Sequence, residues 1–543
     1  MAKPNDRPRR AVDSAGAQDA GPGRGREVEL KLLVRRADLP RLRRRLDAFA
    51  SARVTRVDSI YFDTPGLSLA RQKAALRLRT VAHGASRRWV QTLKTGDEGE
   101  ALSERGEWEA PAPGGRLDLA RLEGAPLARI FPSLAEGAAA PELRERFRTR
   151  FTREIRDIEW KGARIEAALD EGEILAGGRS EPILELELEL VAGPTRALAD
   201  LALLLVQSAA GQADLVLLPS GDSKAARGHR LAQGEDVRPQ AADLRDAGRR
   251  ARSIESVEGA VRSILRAGVE TVLANARGVS AGADPEFLHQ CRVAVRRMRS
   301  AFDLAQLRGK DARRVQSELR QWAAQLAPAR DWDVLSGEVV PAIAATVPGG
   351  TSGWRWRRMA QAAQRRRDLA HEGLRGYLAG AGFALGALRI LRWCLADEKK
   401  ASARAAGRRE LRNEARARMR AILRQARKLP TLAEGRRYEL RVEIKRLRYS
   451  LELLRNAAPG ERRRRWLRAL SRLQDAVGLA TDATLAELHL CELTRSQEVR
   501  EAIRRWSRER QAAALVDAAQ ALALVEEKAA TPAERAGAAV SAP

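Results

Sequence analysis

The 543-residue sequence predicts an α+β multidomain protein: an N-terminal antiparallel β-barrel followed by an all-α helical bundle with an internal repeat. Three observations predict it. Between Arg26 and about Leu231, short segments alternate apolar and charged residues with period two. From 253 to 528 the apolar positions recur with helical period instead. Within that second half, His289-Gln-Cys-Arg-Val-Ala-Val-Arg-Arg-Met-Arg299 is echoed by Tyr438-Glu-Leu-Arg-Val-Glu-Ile-Lys-Arg-Leu-Arg448.

Taken in order, residues 1–24 are Pro/Gly/Arg-rich and read as a disordered tail. Strands are expected at Glu27–Val34, Ser59–Phe62, Ala75–Arg79, Arg88–Lys94, Ser103–Glu109, Arg148–Ile155, Arg164–Leu169 and Ile183–Leu190. Asp170-Glu-Gly172 reads as a turn closing the seventh of these, and Asp63-Thr-Pro-Gly66 as another turn. That makes Tyr61 and Asp63 structural rather than catalytic. Ala197–Ala210 is expected to pack on the sheet as a helix, ending the first domain at 233. A linker is expected over 234–252, the helical domain over 253–528 and a second disordered tail over 529–543. Inside the helical domain, breaks are expected at Val347-Pro-Gly-Gly-Thr351 and at two acidic stretches, Leu326–Asp333 and Leu473–Asp482.

Composition narrows the function. Lys plus Arg number 99 against 71 Asp plus Glu, a net charge of +28, of which +23 falls in 234–543. A surplus confined to one half points to a polyanionic partner there. Three widely spaced cysteines exclude a disulfide framework, and five scattered histidines exclude a zinc-finger or zincin site. The longest uncharged apolar stretch, Gly376–Leu388, is too short to span a bilayer, and no signal peptide is evident. The expected location is the cytoplasm, without a membrane partner.

In the first strand Glu27, Glu29 and Lys31 share one face, with Val28, Leu30 and Leu32 on the other. The last strand sets Glu185, Glu187 and Glu189 against Leu184, Leu186 and Leu188. Arg77, Arg79, Lys94, Arg105, Glu107, Glu109 and Arg153 add charges between them, although Glu107 and Glu109 equally suit a wet face. Acidic strands at both ends and basic ones between suit a charged lumen that holds a polyphosphate by Arg and Lys and a divalent metal by carboxylates. The ordered set Glu27-x-Glu-x-Lys31, Tyr61-Phe-Asp-Thr-Pro65, Leu76-Arg-Leu-Arg79, Thr92-Leu-Lys94, Asp170-x-Gly172 and Glu185-Leu-Glu-Leu-Glu189 resembles the CYTH family of triphosphate tunnel metalloenzymes over about 25–233. Ser223-Lys-Ala225 and Arg227-Gly-His-Arg-Leu231 resemble its bacterial inorganic-triphosphatase branch.

The resemblance implies Glu27, Glu29 and Lys31 as catalytic residues. It implies Mg2+ or Mn2+ on Glu27, Glu29, Asp170, Glu185 and Glu187, and substrate contacts from Arg77, Arg79, Lys94, Arg105, Arg153 and Lys224. The group that activates water is open among Lys31 and the carboxylates.

In the helical half, His289, Arg292, Arg296 and Arg299 form one stripe, about 100° from a core stripe of Leu288, Cys291, Val295, Met298 and Phe302. Arg441, Lys445 and Arg448 lie likewise beside Leu440, Ile444, Leu447 and Leu451. Packed by pseudo-symmetry, the two stripes would line one basic groove. This half resembles a CHAD domain, which implies binding of long-chain polyphosphate and association with polyphosphate granules. Tyr438 stands where a second histidine is expected. Aromatics are only 4% and form no stacking platform, so no specific nucleic acid is expected, and Trp322, Trp332, Trp354 and Trp356 read as core or cavity wall. The expected function is metal-dependent hydrolysis of inorganic tripolyphosphate coupled to polyphosphate binding. The alternatives are a non-catalytic polyphosphate binder, or a tunnel enzyme acting on an organic triphosphate such as thiamine triphosphate or ATP.

Overall fold

The computed structural model describes residues 25–83, 86–96, 102–131, 141–208, 213–244, 247, 256–282, 284–347, 353–395, 408–454, 458 and 460–527. Both expected tails and the Pro-Gly-Gly break lie outside them, apart from Val347. The N-terminal part is an antiparallel sheet of β1 (Gly25–Val34), β2 (Arg53–Asp63), β3 (Ala74–His83), β4 (Ser86–Gly96), β5 (Leu102–Pro111), β6 (Arg144–Trp160), β7 (Ala163–Ala176), β8 (Arg179–Ala192) and β9 (Leu217–Pro219). The strand order is β5-β4-β3-β2-β6-β7-β8-β1-β9, and β1 pairs with β5 as well, over Gly25–Leu30.

Every expected strand falls within one of these. The turn at Asp170–Gly172 is not there: β7 runs on to Ala176. A Cβ on Gly172 would sit 2.1 Å from the Arg150 carbonyl oxygen, so glycine is needed for β6 and β7 to pair this closely and not for a turn. Asp63 does serve its turn, accepting from the backbone N–H groups of Thr64, Leu69 and Ala70 at 2.7, 2.9 and 3.0 Å.

The apolar sides of β1 and β8 bury Leu30, Leu32, Leu186 and Leu188 against α1 (Leu39–Asp47) and α2 (Arg196–Val206). Helix α2 ends four residues short of the expected Ala210; Gln207 leaves the helix and bridges to Ala213. Since side chains alternate along a strand, the charged sides of β1 and β8 face the other way, where α3 (Lys224–Gln233) closes on them.

The helical part comprises α4 (Val257–Ala281), α5 (Pro285–Ala305), α6 (Lys310–Val334), α7 (Trp354–Leu378), α8 (Ala381–Cys394), α9 (Arg408–Ala426), α10 (Glu434–Leu453), α11 (Gly460–Glu492) and α12 (Gln497–Glu527). The two acidic breaks do not exist. Helix α6 continues through Pro328 and passes into a π-helical turn at Leu335–Val339, while α11 runs unbroken through Asp475 and Asp482. Leu326 and Ala329 on either side of the proline are buried, so packing of α6 offsets the hydrogen bond that Pro328 removes.

The linker is also less free than its composition suggests. Ala242 and Leu244 are buried in the helical core, Gln240 exchanges two 2.9 Å hydrogen bonds with Asn275, and the Ala242 N–H donates to Gln290. Trp322 and Trp356 are buried as expected, but Trp354 is 60% exposed at the start of α7, with Arg355 over its ring. No single helix among the described residues is long and apolar enough to cross a membrane.

Helix α8 touches both parts. Leu385 and Leu388 join the core of the sheet, whereas Phe383, Ala387, Ile390 and Leu391 join that of the helices.

Candidate functional site

The charged face of the sheet is not wet. Glu29, Lys31, Asp170, Glu185 and Lys224 are all buried, with Glu187 nearly so. Register explains the gathering. Lys31 is the Cα partner of Glu187 across β1–β8, Asp170 that of Glu185 across β7–β8, and Arg153 that of Asp170 across β6–β7. Helix α3, whose N-cap Ser223 accepts from the Ala226 N–H at 3.0 Å, lays Lys224 and Arg227 over them from one turn.

Carboxylate oxygens of Asp170, Glu185 and Glu187 lie within 4.8 Å of one another. Interleaved cations make that tolerable. Lys31 Nζ lies 2.6 Å from Glu187, 3.4 Å from Glu185 and 3.9 Å from Glu29. Lys224 Nζ contacts Glu185 and lies 2.7 Å from Asp170 and 2.9 Å from Glu187. Arg153 forks onto Asp170 at 2.6–2.7 Å and reaches Glu187 at 2.5 Å. Arg227 donates to Glu185 at 3.1 Å.

Burial alone would raise the Glu187 pKa, but Lys224, Lys31 and Arg153 hold it well below the usual carboxylate range, and Lys224 and Lys31 lower Glu185 in the same way. Conversely, burial would discharge Lys31, yet Glu185, Glu187 and Glu29 raise it above the ordinary lysine range. Three clustered carboxylates are hard oxygen donors, a set that fits a hard divalent cation.

A second wall is basic. Lys94 lies 3.3 Å and Arg77 3.8 Å from Glu107, and Arg79 lies 3.0 Å from Glu109; both glutamates are ion-paired, and Glu109 is exposed as well. Arg77 is the Cα partner of Tyr61 across β2–β3. Arg77, and secondarily burial, bring the Arg79 pKa down to about 10. The Nε groups of Arg77 and Arg79 are buried with no hydrogen-bond partner, an arrangement that suits an anion. Glu27 and Arg105 are Cα partners across β1–β5, but their side chains lie outside those described.

The helical stripes do come together. Leu288, Cys291, Val295, Met298 and Phe302 are buried, as are Leu440, Ile444, Leu447 and Leu451, and Ser450 Oγ on α10 donates to the Ser300 carbonyl on α5 at 2.6 Å. Arg292 reaches Asp331 at 3.5 Å and Arg441 reaches Asp482 at 2.7 Å, equivalent ion pairs in the two repeats. Arg296 and Arg448 share the Tyr449 ring, at 4.8 and 4.3 Å from its centroid. Burial, then Arg441 and Arg296, depress Lys445 from 10.5 to about 7. His289 is lowered mainly by burial, with Arg330, Arg296 and Arg292 adding to it. Arg299 departs from its stripe, opening instead onto a cavity of about 580 Å3 shared with Arg320, Arg418 and Arg446. The Nε groups of Arg296 and Arg441 are buried and unpartnered.

Residues 25–213 match the CYTH domain family, and residues 263–491 match the CHAD domain family. The chain carries a CYTH domain followed by a CHAD domain. Over 172 residues it is 32% identical to an inorganic triphosphatase of Haemophilus influenzae, a match covering 32% of this chain and 44% of that protein. The chain thus spans less than half the length of this curated relative. Among solved structures, a Hippeastrum protein described as having a dominant triphosphatase activity is 24% identical, covering 39% of this chain and 97% of that one with a TM-score of 0.29. The CHAD domain of the plant Ricinus communis is 24% identical, covering 56% and 94% with a TM-score of 0.36.

Two contributors to the CYTH site escaped the sequence reading. Arg227 had a visible signal, three residues after Lys224 on one helical face. Tyr61 had the β2–β3 alternation that sets it opposite Arg77. In the CHAD domain Tyr449, directly after Arg448, was missed because a lone aromatic off the core stripe gives no sign of the guanidiniums it carries.

Proposed function

We propose that the CYTH domain hydrolyses inorganic tripolyphosphate with Mg2+ or Mn2+, and that the CHAD domain binds long-chain polyphosphate. One observation carries the reading: a buried face on which carboxylates are zipped to lysines and arginines, beside arginines with unpartnered N–H groups. The β1–β5 pairing supports a tunnel around that face. Asp170, Glu185 and Glu187, with Glu29 at hand, would hold the metal. When bound, it supplies charge neutralisation and Lewis acidity at phosphoryl oxygens.

The chain's own groups then do the positioning. Lys31, Lys224 and Arg153, released from their carboxylates, bind phosphate oxygens, and Arg77, Arg79 and Lys94 grip the far end of the substrate. Lys31, kept charged against burial by Glu185, Glu187 and Glu29, brings a cation to the phosphate oxygens. In the CHAD domain Arg292, Arg296, Arg441, Lys445 and Arg448 form the anion-facing set.

The test is phosphate release from tripolyphosphate with Mg2+, Mn2+ or EDTA, beside ATP and thiamine triphosphate. Glu29→Gln and Glu187→Gln are expected to lose at least about 100-fold in kcat/KM, on the scale of removing a group that stabilises the transition state. Release unaffected by EDTA, or strongest on an organic triphosphate, would overturn the reading.

A further inference from the structure

The carboxylate cluster is joined to the CHAD domain by a chain of charges. Each oxygen of Glu185 has its own partners: Oε1 faces Lys31 and Lys224, and Oε2 takes the Arg227 Nη1. Arg227 is pinned in turn. Its Nη2 donates to the Pro182 carbonyl and its Nε to Glu181 Oε1 at 3.0 Å. That same Glu181 oxygen receives a 2.9 Å hydrogen bond from Arg277 Nη2, and Arg277 belongs to α4 of the helical half. The other Arg277 nitrogen lies 3.5 Å from Asp222, which also pairs with Arg230 and stands two residues before Lys224. Both branches from Arg277 therefore end on Glu185, one through Glu181 and Arg227, the other through the segment that presents Lys224. Glu181 is 20% exposed and Arg227 7%, while Arg277 is 52% exposed and is the surface end of the chain.

We propose that Arg277 is a positioning residue through which the helical domain sets the orientation of Glu185 and so the affinity of the carboxylate cluster for its divalent cation. The logic is that of a carboxylate whose outer oxygen is fixed so that the inner one is presented. If Lys31 and Lys224 leave Oε1 for phosphate, Arg227 still holds Oε2. Arg227 keeps its place because Glu181 is clamped between it and Arg277. Without Arg277, Glu181 regains rotamer freedom and Arg227 follows it. The inference rests on the metal-dependent tripolyphosphate reading, so its test separates the two.

The full-length protein is titrated with Mn2+ alone, free Mn2+ being read by electron paramagnetic resonance, and the same samples are assayed for kcat and KM on tripolyphosphate. Arg277→Ala is expected to weaken Mn2+ binding about threefold to tenfold, below the usual effect of a group touching a metal ligand directly. At saturating Mn2+ kcat should stay near that of the wild type, and Arg277→Lys should restore most of the affinity. In a double-mutant cycle with Glu181→Gln, the double variant should be no weaker than the weaker single one. Unchanged Mn2+ affinity in Arg277→Ala, or additive losses in the cycle, would overturn the inference. A wild type that binds Mn2+ but releases no phosphate would sink the hydrolysis reading and leave the inference to be decided by resonance alone. A wild type that binds no Mn2+ would overturn both.

Discussion

Lys445 carries its ammonium into a place that repels it. Burial strips it of water, Arg441 on its own helix and Arg296 and Arg292 on α5 repel it, and Asp482 on α11 opposes them only in part. In the unfolded chain a lysine keeps its proton to about pH 10.4. Between pH 7 and that value the folded protein holds one proton fewer at this site, so stability rises with pH across the window. Below pH 7 the group is charged in both states and the full repulsion remains. A polyanion in the cleft favours the charged form, so binding at pH 8 should take up a proton. Calorimetric titration of polyphosphate in two buffers of different ionisation enthalpy should show that uptake, and Lys445→Met should abolish it; equal uptake in the variant would assign the proton elsewhere. None of this was legible beyond the stripe itself, because the depression depends first on burial, which only the packed helices create, and then on Arg441 beside it and Arg296 from a second helix. Glu29, Lys31, Glu185 and Glu187 were legible as alternation and Lys224 through the family resemblance, whereas Arg227 arrives from the same helix far along the chain and was not.

At the level of elements, α3 depends on one missing methyl. A Cβ on Gly228 would stand 2.2 Å from the Phe147 ring of β6, which stacks on Tyr61 at 4.4 Å. Gly228→Ala should therefore lift the helix from the sheet and move Lys224 and Arg227 with it. The expected result is a stability loss of about 1–3 kcal/mol, as for overpacking, together with at least about tenfold lower kcat/KM. Gly373→Ala is the control: nothing lies within 4 Å of the added carbon, and the helix should gain up to about 1 kcal/mol. Urea unfolding and the phosphate assay check both, and a neutral Gly228→Ala would show that α3 does not need this close approach. Elements with strong periodicity were readable in advance. Those misread were set by tertiary pairing: Asp170–Gly172 has turn chemistry and lies mid-strand, and Pro328 has breaker chemistry and lies inside a helix. Local rules yielded to pairing with β6 and β8 at Asp170–Gly172, and to burial of the neighbouring Leu326 and Ala329 at the exposed Pro328.

Across the whole molecule the two domains are not beads on a string. Opposite faces of α8 complete two cores, Arg392 on it pairs with Asp200 of α2, and Arg35 of the sheet half donates to the Ala379 carbonyl just before it. Leu388 is fully buried on the sheet side, although its helix belongs to the CHAD domain. Leu388→Ala is expected to cost about 2–5 kcal/mol and to lower the melting of both domains together in scanning calorimetry. Two transitions, of which only one moves, would show that they unfold independently. The charge asymmetry marked out both halves in the sequence, but an apolar run such as Gly376–Leu388 does not reveal which neighbour each of its faces will meet. A helix owned by two cores also has a consequence for descent. Cutting the gene at the linker and joining either half to a stranger leaves an oily stripe bare on one product and a groove without its filler on the other. For this chain, exchanging either half for another is expected to succeed only when the newcomer brings a matching face for α8.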